Sequence, residues 1–282
     1  MARNRDEQRP TQPEIPFTEP APDRGGGAPY EHPRDPTLPG RGPQSRYTLR
    51  DSELQTLADI GTFRSLRLDD LATYRHGGDR AQANAEVRNL LRHGLLRVRT
   101  MHPSKAVYAA LTRDGHSILN LRRPAGSRQV YYAQFVKPRE LRHDAAIYRL
   151  YREVAARIAH EGGRVQRVVL DFELKKSINP RLAKLDSLPE PEREHQRRQI
   201  AEHHGLTVVD GKIPLPDLRI EYETAEREQT KVDVELATSD YHRQSLAAKA
   251  GAGFSIYALR EDMGPLRRAI GDPELTKDIL SL

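Results

Sequence analysis

Three acids in the last third of the 282-residue chain are spaced for chemistry. Pro216-Asp217 opens one expected strand, and Asp233-Val234-Glu235 lies on the next. Side chains alternate along a strand, so Asp233 and Glu235 share a face. A carboxylate at the mouth of one strand and two more on its neighbour could hold a divalent ion between them. Such an ion lowers the pKa of an attacking water and stabilises the oxyanion that forms at phosphorus. The plainer reading puts Asp233 and Glu235 in salt bridges on a sheet face, with Asp217 in a turn after Pro216.

A second set of residues could recognise a polyanion. Asp79, with Gln82 three residues on, reads as a capping box opening a helix. Ala83, Val87, Leu90 and Leu91 form its apolar stripe. With Ala83, Val87 and Leu90 facing a core, about 100° per residue turns Ala81, Ala85, Arg88, Asn89 and Arg92 outward. Two alanines allow close approach to a groove, and Arg and Asn side chains can read guanine or adenine edges. Arg80, Gln82 and Asn84 sit near the helix start, placed for bases or phosphates. Arg99, His102 and Lys105 follow on a strand pair where a backbone phosphate would be met. Any one of these arginines could equally belong to a solvated helix face.

The elements that must hold this second set follow from residue 47 onward. Leu54, Leu57, Ala58 and Ile60 recur at helical spacing after Asp51-Ser52, and residues 68–74 give a second short helix. Gly94 stops the third helix, residues 95–100 and 105–111 read as a strand pair, and a last short helix follows Leu111-Thr112-Arg113-Asp114-Gly115-His116. Three helices and a strand pair in this order are those of a winged helix-turn-helix domain. The phrase Leu90-Leu91-Arg92-His93-Gly94-Leu95-Leu96, followed by Leu111-Thr112-Arg113-Asp114-Gly115, resembles many bacterial winged-helix regulators. Residues 47–123 carry 13 Lys and Arg against 8 Asp and Glu, so most of the formal charge excess sits here.

The elements around the acids form a second expected domain over 124–282. A strand is expected at 130–136. A helix over 139–161 follows, with Leu141, Ala145, Tyr148, Tyr151, Ala155 and Ile158 on one face. Next come a strand at 165–174, a charged helical insertion at 175–205, and a short hairpin at 206–213 around Asp210-Gly211. Strands at 217–223 and 231–238, a helix at 241–250 and a strand at 254–259 complete the order. The fold class expected is α+β, with an N-terminal winged helix followed by this α/β domain. Residues 251–253 read as a helix end and turn.

The order of the second domain resembles the core of the PD-(D/E)xK nuclease superfamily. The resemblance implies a catalytic and metal-binding set in which Asp217 is the first acid. It leaves two alignments for the second half. With Glu235 as the (D/E), Ala237 occupies the lysine position and Lys249 on the following helix is a migrated substitute. With Asp233 as the (D/E), Glu235 occupies that position. Glu140 or Glu153 on the long helix could add a further acid. The two domains together resemble the replication-relaxation family of mobile-element proteins, through Leu91 to Leu95, Leu111-Thr112-Arg113-Asp114-Gly115, Pro216-Asp217, Glu235 and Lys249. That resemblance implies binding to double-stranded DNA in plasmid or integrated-element replication, mobilisation or transcription control. It implies replication or mobilisation proteins as partners and allows a homodimer. The alternative it leaves is a Mg²⁺- or Mn²⁺-dependent endonuclease targeted by the winged helix, and a protein-interaction adaptor is a third reading.

Composition bounds these readings. The chain has 46 Lys and Arg against 40 Asp and Glu, a net charge of +6, and a mean hydropathy of -0.76. A basic excess on a heavily charged chain fits a polyanion partner. Cysteine is absent, which excludes disulfides, cysteine-ligated zinc and thiol catalysis. Ten of the 20 prolines lie in residues 1–46 with Gly25-Gly26-Gly27, so that stretch reads as a disordered tail whose Arg3, Arg5, Arg9 and Arg41 could add loose attraction to nucleic acid. No apolar run approaches a membrane span, and the expected location is the cytoplasm. No zinc helix, phosphate loop or serine nucleophile elbow is present; the neighbouring His203 and His204 read as a surface pair.

Overall fold

The computed structural model describes residues 49–282. The tail expected over 1–46, with its arginines, lies outside the described residues. The chain from 49 onward is a mixed α+β protein with two sheets.

The first sheet is small and antiparallel, in the order β1-β3-β2, from Leu66–Arg67, Ala106–Leu111 and Leu96–Met101. Helices α1 (Asp51–Thr62), α2 (Leu68–Arg75) and α3 (Arg80–Arg92) pack on it through Leu57, Ile60, Leu71, Val87 and Leu90. Asp79 caps α3 by accepting the Gln82 N–H at 2.9 Å, which is the N-cap half of the expected box. Helix α4 (Arg113–Arg122) begins at Thr112. The Thr112 hydroxyl accepts the Gly115 N–H at 3.1 Å and donates to the Gly94 carbonyl at 2.6 Å. A Cβ on Gly115 would stand 2.2 Å from the Leu95 carbonyl oxygen, so only glycine allows α4 to close on β2 there. The Leu-Thr-x-x-Gly phrase is therefore a packing device that ties the end of α3 to the start of α4.

Residues 130–136, expected as a strand, form none. Their aromatic and branched composition is served by isolated backbone bonds, Tyr132 N–H to Gly61 O and Gln134 N–H to Leu111 O, without a ladder. Just before them, Gln129 lays its side-chain amide along the edge of β4 (Arg164–Leu170). Its Oε1 accepts the Val168 N–H at 2.8 Å, and its Nε2 donates to the Val168 carbonyl at 3.1 Å.

The second sheet has the order β4-β5-β6-β7-β8. Strands β4, β5 (Leu218–Glu223) and β6 (Gln229–Ala237) are antiparallel, whereas β7 (Ser255–Ala258) and β8 (Leu280–Ser281) add in parallel. Strand β4 ends at Leu170, short of the expected 174, because α6 (Asp171–Leu182) starts at Asp171, whose N–H bonds to the Asp217 carbonyl. Helices α6 and α7 (Glu190–His203) form the charged insertion. They also contribute to the core, with Leu174, Ile178 and Ala201 buried against Leu206 and Phe254. Asp210 and Gly211 both take positive φ, 49° and 68°, in a tight turn closed by the Val209–Lys212 bridge. Helix α8 (Arg243–Gly251) covers one face of β6 and β7, with Leu246 on Ala237 and Ile256. Helices α9 (Arg260–Ile270) and α10 (Pro273–Thr276) lead to β8.

Helix α5 (Pro138–His160) joins the two sheets. Leu141 and Ala145 pack on Tyr108 and Ala106 of the first sheet, while Ile147, Leu150, Val154 and Ile158 continue the core into the second. The expected single apolar face is thus only part of what α5 buries, because the helix is covered from both sides. Polar ties reinforce the joint. The Arg64 guanidinium bonds to both oxygens of Asp144 at 3.0 Å, Arg149 donates to Asp70 at 2.9 Å, and the Tyr148 hydroxyl donates to Asp59 at 3.3 Å.

Candidate functional site

Strand register decides which acids meet. Leu218 pairs with Val234 and Arg219 with Asp233, so Asp217, just before β5, falls beside Glu235. The Asp217 N–H donates to Glu235 Oε2 at 3.1 Å, and Asp217 Oδ2 accepts the Leu236 N–H at 3.0 Å. From α8, the Lys249 ammonium comes to 2.6 Å from Glu235 Oε1 and also donates to the Leu215 carbonyl at 2.5 Å. The Tyr241 hydroxyl donates to Glu235 Oε1 as well. Helix α5 supplies His143, whose Nε2 lies 3.6 Å from Asp217 Oδ1 and whose Nδ1 lies 3.9 Å from Asp144.

The fold therefore gathers Asp217, Glu235 and Lys249, and adds His143 and Tyr241, which the sequence reading did not single out. Asp233 stands apart. Its oxygens take the Arg219 guanidinium at 2.6 and 2.8 Å and the Lys231 ammonium at 3.4 Å. Arg219 is itself buried and donates to the His204 carbonyl at 2.6 Å, so Asp233 is held as a structural partner. That corrects its place in the expected metal set: it is the counter-ion of Arg219.

Electrostatics in the cluster are internally matched. Burial and the neighbouring Asp217 charge push the Glu235 carboxyl above its usual range, against the pull of Lys249. Burial also acts upward on Asp217, but the His143 contact outweighs it and holds that carboxyl below its usual range. The carboxylates of Asp144 and Asp217 raise His143 to about 10, so its ring is cationic at neutral pH. Two carboxylates thus face two cations. Among the described residues no group of three or more His, Asp or Glu is arranged to hold a metal ion. Glu140, the further acid considered on α5, is tied to Arg64 at 3.0 Å, and Glu153 is exposed. A divalent ion seeks several free anionic oxygens, and this donor set, already neutralised by its own side chains, does not fit Mg²⁺ or Mn²⁺.

A cavity of about 400 Å³ opens beside Asp217, lined by Arg64, Glu140, His143, Asp144, Lys175 and Phe172. Arg64 holds a positive φ of 65° and stacks over Phe172 at 4.6 Å, so a residue from the α1–β1 connection reaches into the mouth of the second sheet.

On α3 the outward face is largely as its period implies. Arg80, Gln82, Asn84, Arg88 and Arg92 are exposed. Arg80 lies 3.5 Å from Asp69, whereas Arg88 and Arg92 have no carboxylate partner among the described residues. Asn89 differs from expectation. It is half-buried, and its Nδ2 donates to Glu53 at 2.6 Å, because α1 crosses close behind α3. His102 and Lys105 are exposed in the β2–β3 turn. Arg99 is exposed too, but its guanidinium lies 4.8 Å from the centre of the Phe135 ring, on the sheet face turned away from α3. Arg97 and Arg113, which share that region, were not among the expected contacts; alternation along β2 was the available signal. Comparison with protein-family models, with curated proteins and with solved structures finds no match to this chain.

Proposed function

We propose that this chain binds double-stranded DNA as an accessory or regulatory protein, with the first four helices and the small sheet acting as a winged helix. The observation that carries the reading is the outer face of α3, where Arg88 and Arg92 are exposed, without acidic partners among the described residues, beside Ala81, Ala85 and Asn84. Such a face suits a major groove, with His102 and Lys105 on the β2–β3 turn meeting an adjacent phosphate. The α/β half is read as a PD-(D/E)xK-like core that has lost cleavage, supported by the neutralised Asp217–Glu235 pair. A place in plasmid or mobile-element replication, mobilisation or transcription control, as in the replication-relaxation family, is the biological setting we infer from the sequence phrases.

The test is a gel shift on duplex DNA with Arg88→Ala combined with Arg92→Ala. Loss of both side chains abolishes specific binding, and where the two arginines neutralise phosphates the salt slope falls by about 1.8. Unchanged affinity and slope would refute the assignment. The competing reading, a Mg²⁺- or Mn²⁺-dependent endonuclease, draws on Asp217, Glu235 and Lys249 standing together beside a cavity. Metal-dependent nicking of supercoiled plasmid, lost in Asp217→Ala and Glu235→Ala, would establish it instead.

A further inference from the structure

A second basic surface lies at the foot of the β2–β3 hairpin. Arg97 and Arg99 alternate with Leu96 and Val98, which pack into the core shared with α3, so the two arginines emerge on the opposite face of the sheet. Residues two apart on a strand are about 6.6 Å apart. Arg113, in the first turn of α4, forms the facing wall, and Gln134 and Phe135 close the far side of a groove of about 770 Å³. None of the three guanidiniums has a carboxylate partner among the described residues; Arg99 stacks on Phe135. Asp114 is the single acid in the lining. Beneath the groove Thr112 ties Gly94 to Gly115, and the Gly115 backbone rests on Leu95.

We infer that this groove binds the backbone of single-stranded DNA, independently of the duplex surface on α3. Unpaired arginines on two walls are complementary to a chain of phosphates that runs between them. The Arg99–Phe135 stack presents a guanidinium plane on which an unpaired base can lie, and Gln134 offers amide donors and acceptors to a base edge. Charged groove plus stacking platform is the combination by which single strands are held without sequence preference. Two nucleic-acid surfaces on opposite sides of one small sheet suit a protein that works where duplex gives way to single strand.

The experiment is fluorescence anisotropy of the full chain with a labelled oligothymidylate and, separately, with a labelled duplex, across a salt series. Arg97→Ala with Arg113→Ala is compared with Arg88→Ala with Arg92→Ala. The groove variant is expected to bind oligothymidylate at least about tenfold more weakly, with a salt slope smaller by about 1.4. Its melting midpoint stays at the parent's, because neither arginine has a carboxylate partner among the described residues. The α3 variant is expected to keep its oligothymidylate affinity. Groove-variant affinity within about twofold of the parent's, or equal loss of the single strand by the α3 variant, overturns the inference. Absence of duplex binding by the parent would defeat the α3 reading alone and leave this result standing.

Discussion

Lys249 reaches from α8 to place its ammonium 2.6 Å from the Glu235 carboxylate, which is only 1% exposed. The acid is buried and Lys249 mostly so, and Tyr241 and the Asp217 N–H complete the coordination of the acid. Removing one partner leaves the other charge without compensation, which costs about 3–5 kcal/mol. Lys249→Met should therefore destabilise the fold strongly in urea denaturation. Adding Glu235→Gln to it should restore part of the loss. The deficit of the single variant should be greater at about pH 8 than at about pH 5, where Glu235 can take a proton.

His143 makes stability depend on pH. Its folded pKa of about 10 lies above the unfolded value of about 6.5. The stabilisation it supplies is fully present below about pH 6.5 and is lost as pH rises through about 10. Asp217, held below its usual range, contributes stability above about pH 4 that is lost as pH falls. Urea midpoints measured across this range should decline on the alkaline side in the parent. In His143→Gln that alkaline decline should shrink.

The counter-ion role of Asp233 separates it from Asp217. Arg219 is buried on the sheet, so Asp233→Ala strands a guanidinium and should cost about 3 kcal/mol. A melting curve reads this directly. Asp233→Ala together with Arg219→Met should recover stability, an outcome that a metal-ligand role would not produce.

Asn89 and Arg88 are neighbours on α3 with opposite expected phenotypes. Asn89→Ala removes a donor from the buried Glu53 and should lower stability by about 1–2 kcal/mol while leaving duplex affinity close to the parent's. Arg88→Ala should lower duplex affinity and leave the melting midpoint unchanged. Paired gel shifts and thermal melts on the two variants check both expectations.

Millimolar Mn²⁺ should leave the melting midpoint unmoved, since a ligand shifts stability only through sites that bind it. A metal-induced rise in the midpoint that disappears in Asp217→Ala would show instead that Asp217 binds the ion.

What could be read before the fold was local. The Asp79 cap, the α3 stripe and the strand alternation of Asp233 and Glu235 are all short-range signals, and so is the turn at Asp210-Gly211. What could not be read is register and neighbourhood. Nothing in the spacing of Asp233 and Glu235 says that Arg219 stands opposite the first and Asp217 opposite the second. His143 and Arg64 enter the site from α5 and from the α1–β1 connection, positions remote in sequence. Strand β1 is two residues long, and α9 carries Pro265 inside it, which weakens both signals. Residues 130–136 show the converse error, since strand-like composition there is satisfied by packing and two backbone bonds.

Gln129 acts as a surrogate strand. By giving Val168 both an acceptor and a donor, its amide satisfies the centre of an outer edge that would otherwise be a template for another chain. Sheet extension beyond β4 therefore requires that side chain to withdraw first. At Val168 that flank is capped against pairing with a further strand.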